Sequence, residues 1–452
     1  MPSRYDLVLR NGTVVNHDGV GLRDVAVSGG RIAGIGSFPA SRAAETIDCT
    51  GLHVLPGVID SHVHFREPGA EHKEDFETGG RAAVMGGVTA IFEMPNSRPA
   101  TVTAQALADK VKRAKGRMAC DFAFYIGATR ENTAELRQFE RLPGCCGVKV
   151  FMGSSTGDLL VEDDASIEEI LRRVSRRPAF HCEDEDRLKA RIDLRVAGRP
   201  DSHPVWRDAE AARLATARLL RLARKTGRCV HILHVSTADE LGLLGDNHDI
   251  ASVEVTPHHL TFAAPEIYER LGTRAQMNPP VRDAHHCEAL WGAIASGLVD
   301  TVGSDHAPHT LEEKARPYPD SPSGMAGVQT LVPVMLDHVN AGRLSIERFV
   351  DLTSAGSARL FRIAGKGRMA EGYDADFTIV DLKQRRTIAD DWIESRCGWT
   401  PYAGLSVTGW PVGTILRGRK AMWEGEILGS PEGEPVRFLD ALAPGVEHEK
   451  RG

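Results

Sequence analysis

Histidines and one acid collect at the ends of short apolar runs in the middle of the chain, and their spacing suits metal chemistry. His62 and His64 end the first run, and residues two apart in a strand face the same side, so both imidazoles should point into one space. His181, His234 and Asp305 each follow a later apolar run. Neutral imidazoles with a carboxylate are ligands that suit a divalent ion such as zinc.

Lys149 is the unusual member of this group, because it lies in an apolar run with valine on both sides. A strand lysine that is buried on both faces is costly unless it is paired, whereas on an edge strand it would be exposed. Each of these side chains, taken alone, could be an ordinary structural residue. Together, on five different strands in order, they predict a site for two metal ions.

The elements that must position these groups alternate between strands and helices, which predicts an α/β fold. Eight strands are predicted at residues 54–64, 88–94, 121–126, 147–152, 179–182, 230–235, 252–256 and 301–304. Helical patterns lie between them, for example at residues 104–115, 164–176 and 208–226. Eight such units over about 300 residues favour a (β/α)8 TIM-type barrel, with catalytic groups at the carboxyl ends of the strands. Counting alone leaves a doubly wound open sheet possible.

Both ends of the chain are β-rich and differ from the middle. Short strands are predicted at residues 5–10, 14–15, 25–27 and 31–35, with a turn at Asn11-Gly12, and again at residues 376–381, 413–418 and 421–424. We therefore expect one small β-sandwich built from both ends. The predicted division is residues 1–54 and 366–430 for the sandwich, 55–365 for the barrel, and 431–452 for a loosely packed tail.

Composition excludes several classes of function. The 452 residues carry a formal net charge of -7, so a basic surface for nucleic acid or anionic membrane is not expected. No apolar run approaches the roughly 20 residues of a membrane span, and the first residues lack the apolar stretch of a signal peptide. The eight cysteines form no Cys-x-x-Cys pair, which indicates reduced thiols rather than a thiolate zinc site. A cytoplasmic location is expected.

Five segments carry a resemblance to a known family. They are PGVIDSHVHFREPG at 56–69, EMPN at 93–96, KVFMG at 149–153, MNPP at 277–280 and GSDHAPH at 303–309. The chain resembles the amidohydrolase superfamily and, within it, the dihydroorotases of the cyclic-amidohydrolase type. The likeness runs from about residue 4 to residue 425.

The resemblance implies a set of metal ligands and a reaction. His62, His64 and Asp305 would hold one Zn2+, His181 and His234 a second, and Lys149, carboxylated on its amine, would bridge them. A hydroxide generated at the ions would attack a ring amide, and Asp305 would carry the proton to the departing nitrogen. The expected reaction is the reversible hydrolysis of dihydroorotate to N-carbamoyl-aspartate in pyrimidine biosynthesis.

Substrate choice should depend on the ring carboxylate, which hydantoin and dihydropyrimidine lack. The planar fork of Arg66 suits a carboxylate. The resemblance implies that Asn96 and His309 complete this anion pocket and that Asn278 meets the amide edge of the ring. A hydantoinase, dihydropyrimidinase or allantoinase is the nearest alternative. A non-catalytic scaffold is a further one, although all six expected metal-ligand positions are occupied.

Two further expectations concern assembly and motion. The resemblance implies a homodimer or homotetramer, with a possible association with aspartate transcarbamoylase. The polar segment 310–324, which holds three prolines, could either close over the substrate as a lid or form an ordinary surface loop.

Overall fold

The computed structural model describes residues 5–154 and 159–441, which form two sheets and the helices that cover them. The strands are β1 (Tyr5–Asn16), β2 (Gly19–Ser28), β3 (Arg31–Gly36), β4 (Ala43–Asp48), β5 (His53–Pro56), β6 (Val58–Val63), β7 (Val88–Glu93), β8 (Asp121–Gly127), β9 (Cys145–Phe151), β10 (Ala179–His181), β11 (Val230–Ile232), β12 (Ala251–Val255), β13 (Thr301–Val302), β14 (Phe377–Thr387), β15 (Ser406–Leu416), β16 (Arg419–Trp423) and β17 (Glu426–Ile427).

Strands β6 to β13 form the barrel. They are parallel neighbours in chain order, and every residue in them is buried. Parallel strands that are covered on both faces need continuous apolar runs, which explains why these segments do not alternate. The ring closes where Val63 pairs with His306 and where the His64 N–H donates to the His306 carbonyl at 2.7 Å. The predicted (β/α)8 barrel is confirmed.

The helices pack outside the barrel and around the loops at its carboxyl end. They are α1 (Phe76–Met85), α2 (Ala104–Ala114), α3 (Leu136–Phe139), α4 (Asp164–Arg173), α5 (Glu185–Ala190), α6 (His203–Trp206), α7 (Ala209–Thr226), α8 (Ala238–Gly245), α9 (Pro257–Thr261), α10 (Glu266–Leu271), α11 (Ala284–Ala295), α12 (Leu311–Lys314), α13 (Leu331–Asn340), α14 (Ile346–Val350) and α15 (Gly356–Phe361). The longest begins at a capping aspartate, Asp208, which accepts from the Ala211 N–H at 3.1 Å. Its last residue, Thr226, is followed by the capping Gly227, whose φ of 65° suits glycine.

Both chain ends build the other sheet, which has nine strands in the order β17-β16-β15-β14-β5-β1-β2-β3, with β4 beside β1. Side chains from β1, β2 and β3 meet others from β14 and β15 in one apolar cluster, so the sheet curls round a core of its own. Asn11-Gly12 makes no turn between strands, contrary to the prediction. It is a bulge inside β1, where Asn11 has a φ of 59° and the pairing with β2 shifts register.

The predicted first barrel strand at 54–64 is in fact two strands. β5 ends at Pro56 and pairs with β1 and β14 in the curled sheet, whereas β6 starts at Val58 and pairs with β7 in the barrel. Gly57 lies between them, and a Cβ there would fall 2.2 Å from Thr89 Oγ1. The apolar run continues because the chain crosses from one core directly into the other.

The start of the predicted loose tail is packed, contrary to expectation. Val436 and Phe438 are 4% and 2% exposed and join an apolar cluster with inward residues of the barrel strands. The backbone continues the contact, since the Phe122 N–H donates to the Glu434 carbonyl at 3.1 Å. This segment therefore closes the amino end of the barrel, and the rest of the predicted tail, from residue 442, lies outside the described residues.

Within residues 5–154 and 159–441, no helix combines the length and apolar character that crossing a bilayer requires.

Candidate metal centre and substrate pocket

His62 and His64 are held in one orientation by oxygens on their Nδ1 atoms. His62 Nδ1 lies 2.7 Å from Glu254 Oε1, and His64 Nδ1 lies 2.7 Å from Asn96 Oδ1. Because a carboxylate or amide oxygen can only accept, both Nδ1 atoms donate, and in the neutral rings both Nε2 atoms keep a lone pair. Such outer partners are what fix a metal-binding imidazole in the correct tautomer.

The Nε2 atoms of both histidines converge on Asp305. Its Oδ1 lies 3.1 Å from His62 Nε2 and 3.2 Å from His64 Nε2, and the ligand atoms of the three residues all lie within 4.8 Å of one another. Burial would lower the pKa of His62, but Asp305 and Glu254 raise it to about 9, so a proton offsets the carboxylate charge. A divalent cation between these acceptors would do the same, and the donor set therefore fits a metal ion.

His181 and His234 form a second pair of converging nitrogens. His181 Nε2 donates to Glu183 Oε2 at 2.8 Å, which leaves the His181 Nδ1 lone pair 3.0 Å from His234 Nε2. The ring of His234 is also 5.3 Å from the ring of His62, so the two pairs are neighbours. The structure thus brings together all four predicted histidines and Asp305.

Lys149 lies on β9 beside the second pair. It is 1% exposed, its Nζ is 4.5 Å from the centre of the Phe151 ring, and its charge acts on both His181 and His234. Burial lowers the pKa of the Lys149 amine to about 7. A neutral amine is the form that can react with CO2, so the environment suits carboxylation.

Arg66 and His309, two of the residues predicted to bind substrate, contact each other. Arg66 is 8% exposed, its Nη2 lies 3.2 Å from His309 Nε2, and its Nε donates to the Pro308 carbonyl at 3.1 Å. Burial lowers the pKa of the guanidinium to about 10, which leaves it protonated at neutral pH. Burial and the charge of Arg66 lower the pKa of His309 to about 3, so that imidazole is neutral.

The two asparagines each contact a histidine. Asn96 Oδ1 accepts from His64, as described above, so Asn96 belongs to the support of the metal centre in addition to any role in binding substrate. Asn278 Oδ1 accepts from His203 Nε2 at 2.9 Å, and the same nitrogen lies 3.0 Å from the Met277 carbonyl. His203 therefore fixes the orientation of the Asn278 amide.

Comparison with known proteins identifies the family. The sequence profile of the Amidohydrolase family matches residues 53–186 and 214–421. The chain belongs to the amidohydrolase family. Its members depend on metal ions, in agreement with the His62, His64 and Asp305 group.

Individual relatives resemble the chain over almost its whole length. A dihydroorotase of Halobacterium salinarum is 37% identical over 437 residues, which are 96% of this chain and 99% of that protein. An allantoinase of Deinococcus radiodurans is 34% identical over 96% of this chain and 98% of its own. The solved structure of an L-hydantoinase (dihydropyrimidinase) from Arthrobacter aurescens superposes with a TM-score of 0.91 at 31% identity, covering 96% of this chain and 99% of that one.

The sequence did not predict the residues that hydrogen-bond to the metal-facing histidines and to Asn278 in this amidohydrolase site. Glu254 and Glu183 are both fully buried, and they hold His62 and His181 respectively. Glu254 could have been noticed, because it is an acid in a buried apolar strand, the same signal that singled out Lys149. Glu183 and His203 lie outside the strands, and no periodicity marks them.

A second group of possible ligands does not fit a metal ion. Asp283, His285 and His286 also lie close together, at the start of α11. His286 Nδ1 accepts from the Ala238 N–H at 2.9 Å, which places the proton of the neutral ring on Nε2. That leaves His286 without a lone pair to offer, and only two exposed ligands remain.

Proposed function

We propose that this amidohydrolase is a dihydroorotase, which catalyses the reversible hydrolysis of (S)-dihydroorotate to N-carbamoyl-L-aspartate. The observation that carries the proposal is Arg66. It is a buried guanidinium, and no carboxylate of residues 5–154 and 159–441 forms an ion pair with it. Buried charges are normally paired, so this one calls for an anion from the substrate.

A ring carboxylate is the group that satisfies this requirement. Dihydroorotate carries one, whereas hydantoin and dihydrouracil do not. The guanidinium can offer two parallel N–H groups to a carboxylate, which adds geometric selection to charge. We assign His309, which contacts Arg66, and Asn96, which contacts His64, to the same anion, and Asn278, oriented by His203, to the amide edge of the ring.

The proposed metal ligands follow from the lone pairs described above. One ion would be held by His62 Nε2, His64 Nε2 and Asp305, and a second ion would be held by His181 Nδ1 and His234 Nε2. Carboxylated Lys149 would bind both ions. Zinc is the metal that suits this donor set. When bound, the ions supply Lewis acidity, which polarises an amide carbonyl and lowers the pKa of water to near 7.

Asp305 is the residue assigned to proton transfer. Its Oδ1 faces His62 and His64, which leaves Oδ2 to accept a proton from the attacking water and deliver it to the ring nitrogen as the C–N bond breaks. In the reverse direction the same oxygen removes a proton from the ureido nitrogen of N-carbamoyl-aspartate as the ring closes. Burial opposes ionisation, but His62 and His64 hold the pKa of Asp305 well below its usual range, so it starts as the base.

Similar relatives include allantoinases and hydantoinases, so a direct substrate comparison is the decisive test. Purified protein with bound metal is assayed with dihydroorotate, hydantoin and allantoin, using wild type and Arg66→Ala, with Arg130→Ala as an exposed arginine control. We expect wild type to prefer dihydroorotate and Arg66→Ala to lose that substrate while retaining any activity on hydantoin. A metal-loaded wild type that prefers hydantoin or allantoin would refute the dihydroorotase assignment.

We also propose a cytoplasmic location, in agreement with the free state of all eight cysteines. The resemblance leads us to propose a homodimer or homotetramer and a possible association with aspartate transcarbamoylase. These rest on the likeness to dihydroorotases alone.

A further inference from the structure

The His309 ring lies among four polar groups, and no single tautomer of the neutral ring can hydrogen-bond to all four. Nε2 is 3.0 Å from the Ser323 carbonyl and 3.2 Å from Arg66 Nη2. Nδ1 is 3.1 Å from Lys73 Nζ and 3.5 Å from Glu313 Oε2. A neutral imidazole has one donor nitrogen and one acceptor nitrogen, so only some of these contacts can be hydrogen bonds at once.

The two shorter contacts select one tautomer. The Ser323 carbonyl can only accept, which requires a proton on Nε2. The Lys73 ammonium can only donate, which requires a lone pair on Nδ1. Both conditions are met by the Nε2–H form, whereas the opposite form would set the Lys73 ammonium against an N–H and rely on the 3.5 Å approach of Glu313.

In this tautomer Arg66 and His309 present two donors to the same space. The Arg66 Nη2 and the His309 Nε2–H are 3.2 Å apart and cannot satisfy each other. An acceptor with negative charge, placed beside both, would accept from Arg66 and would compete with the neutral Ser323 carbonyl for the His309 Nε2–H, because a charged acceptor forms the stronger hydrogen bond. A carboxylate oxygen has the lone pairs for this, and a neutral ring edge does not carry the charge.

We propose that Lys73 is a specificity-determining positioning residue, which holds His309 as an Nε2–H donor toward the carboxylate of the substrate. This rests on the proposed dihydroorotase function. The Lys73 ammonium contacts Nδ1 of the imidazole, the nitrogen opposite the proposed donor Nε2. It therefore selects anionic over neutral cyclic amides through the tautomer of another residue.

Lys73 is well placed to hold this contact. Its Nζ is 3.1 Å from Glu313 Oε1, and Glu313 is fixed in turn by the capping box that starts α12 with Thr310. The side chain of Lys73 is 17% exposed, so the pair is only partly screened by water. The neighbouring Glu74 anchors the loop by its contact with His306, at 3.2 Å.

The tautomer is tested directly by long-range proton–nitrogen NMR of the imidazoles in protein labelled with 15N-histidine. The His309 signals are assigned as those missing from His309→Asn. We expect the Nε2–H form in wild type and in Lys73→Arg, and a shift toward Nδ1–H, donating to Glu313, in Lys73→Met. An Nδ1–H ring in wild type, or an unchanged ring in Lys73→Met, would overturn the inference.

Kinetics supply the second readout. Lys73→Met should raise the KM for dihydroorotate about tenfold, as expected for one weakened hydrogen bond to a charged group, with hydantoin turnover unchanged. Lys73→Arg should restore the KM, and Lys112→Met, at an exposed helix position, should change neither. A higher KM without a tautomer shift would mean that only the charge of Lys73 matters, which contradicts the proposal.

The role of Lys73 can still be tested if a variant does not fold or if the wild type does not act on dihydroorotate. Should Lys73→Met not fold, Lys73→Gln, which keeps a polar side chain, decides the point, because loss of the ammonium should still shift the ring toward the Nδ1–H form, and an unchanged ring there would contradict us. If wild type ignores dihydroorotate, the proposed function falls, while the NMR result still establishes whether Lys73 sets the tautomer.

Discussion

At the scale of single residues, the site depends on oxygens that lie behind the metal-facing histidines. Glu254 holds His62, Asn96 holds His64 and Glu183 holds His181, each through the nitrogen that faces away from the proposed ions. Each contact leaves one lone pair in a fixed direction. The ligand set is therefore arranged before an ion arrives, which lowers the entropy cost of binding.

Glu254→Gln tests this arrangement. The amide keeps the shape but weakens the bond to His62 Nδ1, and outer-shell changes of this kind typically reduce metal affinity by roughly 10- to 100-fold. The measurement is competition for zinc against a chelator of known affinity. Glu240→Gln is the matched control, since that carboxylate is equally buried but bonds to Thr216 and Thr237 rather than to a histidine. Equal zinc affinity in both variants would show that Glu254 does not act through His62.

At the scale of elements, strands bring the site residues to one rim but do not themselves hold all of them. His62 lies within β6 and His181 ends β10, whereas His234 and Asp305 follow strands that end at Ile232 and Val302. Arg66, His234 and Asp305 have φ values of 63°, 37° and 46°, a region that costs energy for residues other than glycine. The loops aim these three side chains inward at the expense of local strain.

This division explains what the sequence could and could not predict. Buried parallel strands leave apolar runs, so the eight barrel strands and the order of the ligands could be predicted from the pattern. Strand ends could not, because an apolar residue after a strand, such as Leu233 or Val235, is buried just as well in a loop. The junction at Gly57 and the bulge at Asn11 were missed for the same reason: the pattern records burial, not hydrogen-bond partners. Lys73, a charged residue in a polar loop, gave no signal at all.

The segment 310–324 is anchored rather than free. Lys314 is fully buried, and its Nζ donates to the carbonyls of Gln276, Pro322 and Gly324 at 3.1, 2.8 and 3.1 Å. These bonds join α12 to the loop that follows it, in which the Ser323 carbonyl contacts His309, and to the segment that precedes Asn278. Of the two alternatives that the sequence allowed for this segment, they favour a fixed loop over a lid.

Hydrogen–deuterium exchange measured by mass spectrometry can distinguish the two. We expect peptides covering 310–324 to exchange at the same rate with and without substrate in wild type, because the carbonyls already hold the segment closed. Lys314→Met should accelerate that exchange by leaving three carbonyls without their donor, whereas Lys112→Met should not. Strong protection of wild type by substrate would instead establish a lid.

At the scale of the whole molecule, the curled sheet is fastened to the amino end of the barrel, away from the site. Asp121 begins β8 and pairs with Lys366 at 2.6 Å and with Arg417 at 2.6 Å, both from the part of the chain after the barrel. Lys366 also pairs with Asp376, next to β14. Because Asp121, Lys366 and Asp376 are buried, losing one partner would leave an uncompensated charge, so the network fixes how sheet and barrel meet.

Phe438 continues this closure across the mouth of the barrel, and its removal should measure what the closure contributes. Its ring lies 5.9 Å from that of Phe92, Arg176 stacks on it at 4.7 Å, and Arg176 pairs with Asp440 at 2.8 Å. Phe438→Ala should therefore lower the free energy of unfolding by roughly 3 to 5 kcal/mol, as for other buried aromatics, seen as a lower Tm. Leu439→Ala, at a neighbouring side chain that is 50% exposed, should change the free energy of unfolding by less than about 0.5 kcal/mol.

Zinc affinity should stay unchanged in Phe438→Ala, because the ligands lie at the opposite end of the strands. A stable Phe438→Ala protein would show that the segment merely covers the barrel, and a loss of zinc affinity would show that the two ends of the strands are coupled.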